Sequence, residues 1–265
     1  PHAMPSLDEL RPEYEQLFNN CVIRPGKFAE IDGYATAIIA SRVRYEAIGS
    51  PLGIPWHFIG VIHVLECGLN FKRHLHNGDP LTARTVQVPK GRPKAGNPPF
   101  TFEASATDAL VLEGFDKVTD WSVAGMLFLF EKYNGFGYRR SSIRMPSPYL
   151  WSYSNHYAKG KFATDGMFDP ELVSKQPGTA TILRRLAEKQ VVTFGDQQLD
   201  RMKEIKALAT SVRFNPAEVN EDARRLQILL NEVGFPLLRD GKAGQNTSNA
   251  VKQLTGKFLQ GDPRR

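Results

Sequence analysis

The chain has 265 residues, with 34 Lys and Arg against 28 Asp and Glu, which gives a formal net charge of +6 and a pI near 9.3. That length holds one large domain or a medium one and a small one, and 41% hydrophobic with 23% charged residues is an ordinary globular composition. No apolar run approaches the ~20 residues of a bilayer span. The basic balance suits an anionic polymer such as nucleic acid or bacterial cell wall, and the lack of an RGG-like tract or aromatic-basic RNP pattern argues against nucleic acid.

The opening Pro-His-Ala-Met reads as a scar of tag cleavage, so a missing leader peptide says nothing about compartment. Ser6 and Glu9 then stand in capping-box spacing, with Leu10, Tyr14, Leu17 and Phe18 on one face of a first helix and Pro12 tolerated near its start. A second helix is expected over 27–49, stopped by Gly49 and Pro51. A third, "PWHFIGVIHVLEC", is apolar nearly all round and belongs at the centre of a core. The pattern then changes. Asn77-Gly78 predicts a type I′ hairpin between short extended runs, and the proline- and glycine-rich stretch 86–101 predicts an irregular, mobile loop. Helices resume at "TFEASATDALVLEG" and at "DWSVAGMLFLFEKYNG". The fold class is therefore mainly α, with one small β-hairpin.

Glu66 ends the central helix. Burial and the negative end of the helix dipole both raise its pKa and keep it protonated near neutral pH. A protonated carboxylic acid facing a cleft is what glycosidic bond cleavage needs, because the leaving oxygen must receive a proton. A hairpin directly after the helix could present a second polar group, and Asp79 sits at its turn. The alternative is that Glu66 pairs with a base such as Arg73 and Asp79 is a turn residue. Cys21 and Cys67 allow one disulfide if the protein is exported, or are two small buried thiols. His74 and His76 share a face of the hairpin without a third ligand at metal spacing, which points to exposure to solvent or cleft. Neither a G-x-S-x-G elbow nor a phosphate loop occurs, and Ser154 with His156 is too close a pair for a hydrolase dyad.

A helix ending in glutamate, then a hairpin, then helices, resembles the lysozyme superfamily. The string "LECGLNFKRHLHNGDPLTARTVQVPKGRPKAGNPPFTFEASATDAL" is similar to a group of bacterial lysozyme-family proteins. "YNGFGY", Tyr133 to Tyr138, resembles the Tyr-Asn-x-Gly signature of goose-type lysozymes and lytic transglycosylases, and Ser147 to Phe162 resembles the group's substrate-side segment. The matches span roughly residues 55–190; Cys67 departs from the small hydroxylic residue expected after the glutamate. The resemblance implies Glu66 as general acid and Asp79 as water-positioning base, with carboxyls about 6.5–9.5 Å apart for an inverting reaction. Glu103 is the rival second carboxylate, or a first-turn acid of a helix capped by Thr101. Thr82 and Thr85 are candidates to hold water or a sugar hydroxyl. Tyr133 and Asn134 would bind or orient the sugar, and Tyr149, Trp151 and Tyr153 offer faces for stacking on pyranose rings.

After residue 190 the character shifts. A connector over 191–218 contains one helix, and 219–265 form a separate unit. Leu226, Ile228, Leu229, Leu230 and Val233 give an apolar helix, Gly234 ends it, and Thr247 caps the next. The pattern with Asp240-Gly241 and Gly244-x-x-Thr247 resembles the three-helix peptidoglycan-binding module, with Ala243 in place of an aromatic; a structural cap docked on the first domain is the other reading. These observations lead to the expectation of a muramidase with a lysozyme-like domain over 5–190 and a wall-binding module over 219–265. It would cleave the β-1,4 bond between N-acetylmuramic acid and N-acetylglucosamine, with or without prior de-N-acetylation. Neither metal nor organic cofactor is expected; the partner is peptidoglycan glycan strands, the state a monomer, and the place the periplasm or the cell exterior. A lytic transglycosylase and a non-catalytic wall-binding adaptor are the alternatives.

Overall fold

The computed structural model describes residues 4–189, 197–233 and 235–265. Among these residues eleven α-helices and one two-stranded antiparallel sheet make a mainly helical molecule, as the sequence predicts. The first helix, α1 (Leu7–Asn19), opens with the predicted capping box: Ser6 Oγ accepts from the Glu9 N–H, and the Glu9 carboxylate accepts from the Ser6 N–H. It buries Tyr14 and Phe18 against α6 (Val123–Asn134). Glu131 of α6 is buried there, accepts from the Tyr14 hydroxyl, and takes the Arg139 guanidinium in a fork at 2.8 and 2.9 Å.

The long helix expected over 27–49 is two helices, α2 (Phe28–Ala40) and α3 (Arg42–Gly49). The inward stripe Ile31, Ala35, Ile38 would carry Arg42 into the core next. The chain instead turns at Ser41, and Arg42 emerges over the Trp56 ring with Glu46 as its partner at 2.6 Å. The central helix α4 (Trp56–Cys67) is buried on every side and packs on α2, α3 and α8 (Thr179–Glu188). No single helix is long and apolar enough to cross a membrane among the described residues.

The β-structure is not where the sequence placed it. Around Asn77-Gly78 there is a tight turn with one antiparallel bridge, Arg73 to Pro80, because Pro80 lacks the N–H that a longer ladder needs. The sheet lies further on, pairing β1 (Lys161–Phe162) with β2 (Phe168–Asp169). Its turn contains Asp165-Gly166, with Gly166 at φ +80°, a second hairpin signal in the sequence. The proline-rich stretch is irregular but stitched down. Arg92 holds Asp108 of α5 (Phe102–Leu112) at 2.7 and 3.0 Å, and Asn77 donates to the Gln87 carbonyl.

The connector helix α9 (Gln197–Ser211) joins the C-terminal unit: Met202 and Ile205 share one apolar cluster with Leu226, Leu229 and Leu230 of α10 (Glu221–Glu232) and Val251 and Leu254 of α11 (Gln245–Thr255). Val22, from the first domain, is buried in that cluster too. Thr247 does not cap α11; Gly244 is the cap residue, and Thr247 is buried within the first turn, accepting from the Gln227 amide at 3.2 Å. The expected stop at Gly234 lies outside the described residues.

Candidate active site

Gly68, in the left-handed conformation at φ +56°, ends α4 one residue after Cys67, so Glu66 occupies the last turn without a basic neighbour there. The following turn folds back on that helix end. The Cys67 thiol donates to the His74 carbonyl at 3.3 Å. Gly78 has φ +80°, and a β-carbon on it would stand 2.9 Å from the Glu66 carbonyl, so glycine is required at this close approach.

Glu66 is half-buried. Desolvation pushes its pKa up to about 7; a hydrogen bond from the Tyr149 hydroxyl, at 3.3 Å, opposes this, and the charge of Glu113 adds to it. Arg73 is no partner: its guanidinium donates to the Gly78 carbonyl at 2.9 Å. Among the described residues Glu66 forms no ion pair, which it shares with Glu113 and Asp79 and which sets it apart from Glu103, Asp108, Asp120 and Glu131, which hold Arg44, Arg92, Arg11 and Arg139. A poised, unpaired carboxyl near pKa 7 suits proton donation at neutral pH.

Tyr149 and Tyr133 stand beside it, with ring centroids 6.4 Å apart and planes inclined by 27°. Burial, then the negative charges of Glu66 and Glu113, push the Tyr133 hydroxyl's pKa up, so it remains a neutral donor. Tyr133 also borders a narrow slot of about 20 Å³, room for a single water, whose walls include Ile62, His76, Pro89 and Glu113. Ile62 lies one turn before Glu66 on α4. Asn134 is exposed at the end of α6, where Gly135 at φ +93° turns the chain toward Tyr138 and the sheet.

The remaining expected residues divide. The Asp79 Oδ2 accepts from the N–H groups of Gln87 and Val86 at 3.0 and 2.9 Å, and the Gln87 bond, with that from Val86, holds its pKa below the ordinary value. Asp79 is therefore ionised, is buried, and braces the loop through its Oδ2. Thr82 is exposed. Thr85 is buried, donates to the Pro89 carbonyl and accepts from the Arg92 N–H, so its hydroxyl serves the loop and has no part left for a sugar. Trp151 is only 1% exposed and packs edge-on against His156, so it is core and not a stacking face. Tyr153 is buried with its hydroxyl on the Lys175 carbonyl and Lys27 over its ring, which removes it from the group as well.

Glu103 pairs with Arg44 at 2.8 Å in the first turn of α5, capped by Thr101, and that bond holds its pKa below the ordinary value. His74 and His76 are buried, contrary to the exposure expected of them. His74 bonds Ser105 and the Ala83 carbonyl, and His76 meets Asp108 at 2.6 Å. Cys21 and Cys67 are free, buried thiols, each pushed up to about 12 by desolvation.

Glu113 is the residue that sequence reasoning passed over. It follows α5 in "VLEG", an echo of the "VLECG" that carries Glu66, and apolar residues running into glutamate and glycine were the available signal. Its own pKa is raised by partial desolvation, against a weak opposing pull from Lys132. Comparison with protein-family models, with curated proteins and with solved structures gave no match.

Proposed function

We propose that the chain is a lysozyme-type glycoside hydrolase that cleaves the β-1,4 bond between N-acetylmuramic acid and N-acetylglucosamine in peptidoglycan. The observation that carries this reading is the Glu66 carboxyl, half-buried, without a basic partner and with a pKa of about 7. Glu66 donates its proton to the leaving oxygen while Asp79, ionised and anchored by two backbone N–H groups, orients the attacking water from the loop. Tyr149 and Tyr133 position the acid and offer hydroxyls and ring faces to the sugar. Glu113, beside the slot, is the competing second carboxylate.

A wall-binding role for residues 219–265, joined by α9, is supported by a polar groove of about 560 Å³ whose border includes Asp240, Lys242, Gln245 and Asn246. Gln227 fixes its shape from below, with its amide on Asp240, Lys242 and Thr247 and its carbonyl on the Gly241 N–H. Ala243 is buried, so an alanine there bears on packing and not on an outward contact. The enzyme would work where such polymer is found, in the periplasm or outside the cell.

Mass spectrometry of digested sacculi tests the proposal. Reducing muramic ends are expected; anhydro ends would indicate a lytic transglycosylase, and no release at all would leave a wall-binding adaptor. In parallel, Asp79→Asn cripples a hydrolase that draws its base from the loop. If Glu113→Gln is the variant that abolishes water attack while Asp79→Asn retains it, the second carboxylate is Glu113.

A further inference from the structure

Where α8, α9 and the end of α11 meet, a cleft of about 660 Å³ is bordered by Arg185, Lys189, Lys206, Lys257 and Arg265, over an apolar floor that includes Phe258. The charges here do not balance. Asp32 is shared by Arg185 and Lys189, at 2.8 and 3.0 Å, and Glu188 by Arg184 and Arg185, at 3.1 and 3.2 Å. Three cations therefore divide two carboxylates on the core side. Among the described residues Lys206 donates to the Glu188 carbonyl and forms no ion pair, and Lys257 and Arg265 on the far lip have no carboxylate at ion-pair distance. Burial holds the Lys206 ammonium below its ordinary pKa; the Glu188 carboxylate, which also borders the cleft, opposes this, and the charges of Arg185 and Lys189 add to it.

We propose that this cleft is a binding site for a phosphate-bearing ligand, held between cations of α8, α9 and the segment after α11. A phosphate carries nearly two charges and three strong acceptor oxygens, enough to meet ammonium groups from separate elements at once, which one carboxylate does not do. Such a ligand would bridge the first domain and the C-terminal unit.

The test is an amide chemical-shift titration of the whole chain with inorganic phosphate, against chloride at equal ionic strength. Saturable shifts at Lys206, Thr255 and Lys257 are expected. Lys257→Glu, an exposed substitution, weakens binding about tenfold, and Lys206→Met does the same, whereas Lys161→Glu at the sheet leaves it unchanged. Co-sedimentation with phosphatidylglycerol vesicles identifies the source: pelleting lost in Lys257→Glu marks a lipid headgroup, while phosphate shifts without pelleting mark a soluble phosphate. Absence of saturable shifts, or equal affinity in Lys257→Glu and the parent chain, overturns the proposal.

Discussion

Glu66 and Glu131 are both glutamates on apolar helices of one core, and they differ in what stands opposite them. Glu131 has the Arg139 fork and the Tyr14 hydroxyl, which hold its side chain in place. Glu66 has one hydroxyl and a second negative charge nearby, and retains its proton up to about pH 7. The native state thus binds this proton more tightly than the unfolded chain does. The cost of ionising the buried carboxyl is absent at low pH, grows as pH rises from the ordinary glutamate value of 4.5 to about 7, and is complete above it. Glu66→Gln is expected to cut cleavage by about a hundred- to ten-thousandfold. The same substitution should raise stability at pH 8, and not at pH 4, by about 1–3 kcal/mol. Turbidity clearing of sacculi and denaturant melts at the two pH values read both effects; undiminished lysis would refute the assignment.

The pH profile separates the two neighbours of Glu66. On the proposed assignment of Glu66 as general acid, activity is expected to fall as pH rises through about 7. Tyr149 donates to the ionised form, so Tyr149→Phe moves that alkaline limb upward; Glu113 repels it, so Glu113→Gln moves the limb downward. Opposite shifts of kcat with pH are the expected result, and two shifts in the same direction would contradict this electrostatic picture.

At the scale of elements, α4 is held by close contacts that leave no room for change. A β-carbon on Gly60 would stand 2.5 Å from Ile38 Cγ2, so Gly60→Ala wedges α2 from α4 and is expected to destabilise by about 1–3 kcal/mol in a urea melt. Gly33, exposed within α2, has nothing within 4 Å, and Gly33→Ala should stabilise by about 0.5–1 kcal/mol through helix propensity alone. A loss on Gly33→Ala would show that α2 is held by something other than its buried stripe. The loop of residues 79–101 behaves in the same way. It has no repetitive structure, yet Asp79, Thr85, Arg92 and Asn77 tie it to the turn, to α5 and to itself.

At the scale of the whole molecule, α8 runs through the centre with all ten residues buried, including Arg184, Arg185 and Glu188. Arg185 reaches Asp32 of α2, Glu188 of its own helix and the Leu254 carbonyl of α11, so a single side chain links the two apolar clusters. Arg185→Met removes a partner from Glu188 and Asp32 and leaves the Leu254 carbonyl unmet. A loss of about 3–5 kcal/mol is expected, and a second unfolding transition for the C-terminal unit should appear by calorimetry. A single unchanged transition would mean that the apolar seam, with Val22 in the distal cluster, suffices.

The helices, the capping box at Ser6 and the lone acid at the end of α4 were legible in the sequence, because each rests on local spacing: an apolar period, a cap residue, a glycine stop. Local spacing also misled. Asn77-Gly78 marked a hairpin that Pro80 cut to one bridge, and the stripe across Ser41 hid a break that brings Arg42 out over Trp56. Whether a polar side chain is free to act is not a local property. Thr85, Trp151 and Tyr153 share residue types with sugar-binding groups and were consumed by the loop and the core, while Glu113 gained its place only when α5 set it beside Tyr133. Residue type and period therefore settled most of the helices, and packing across distant parts of the chain decided which carboxyls lack a cation, because desolvation and pairing depend on neighbours that sequence distance does not record.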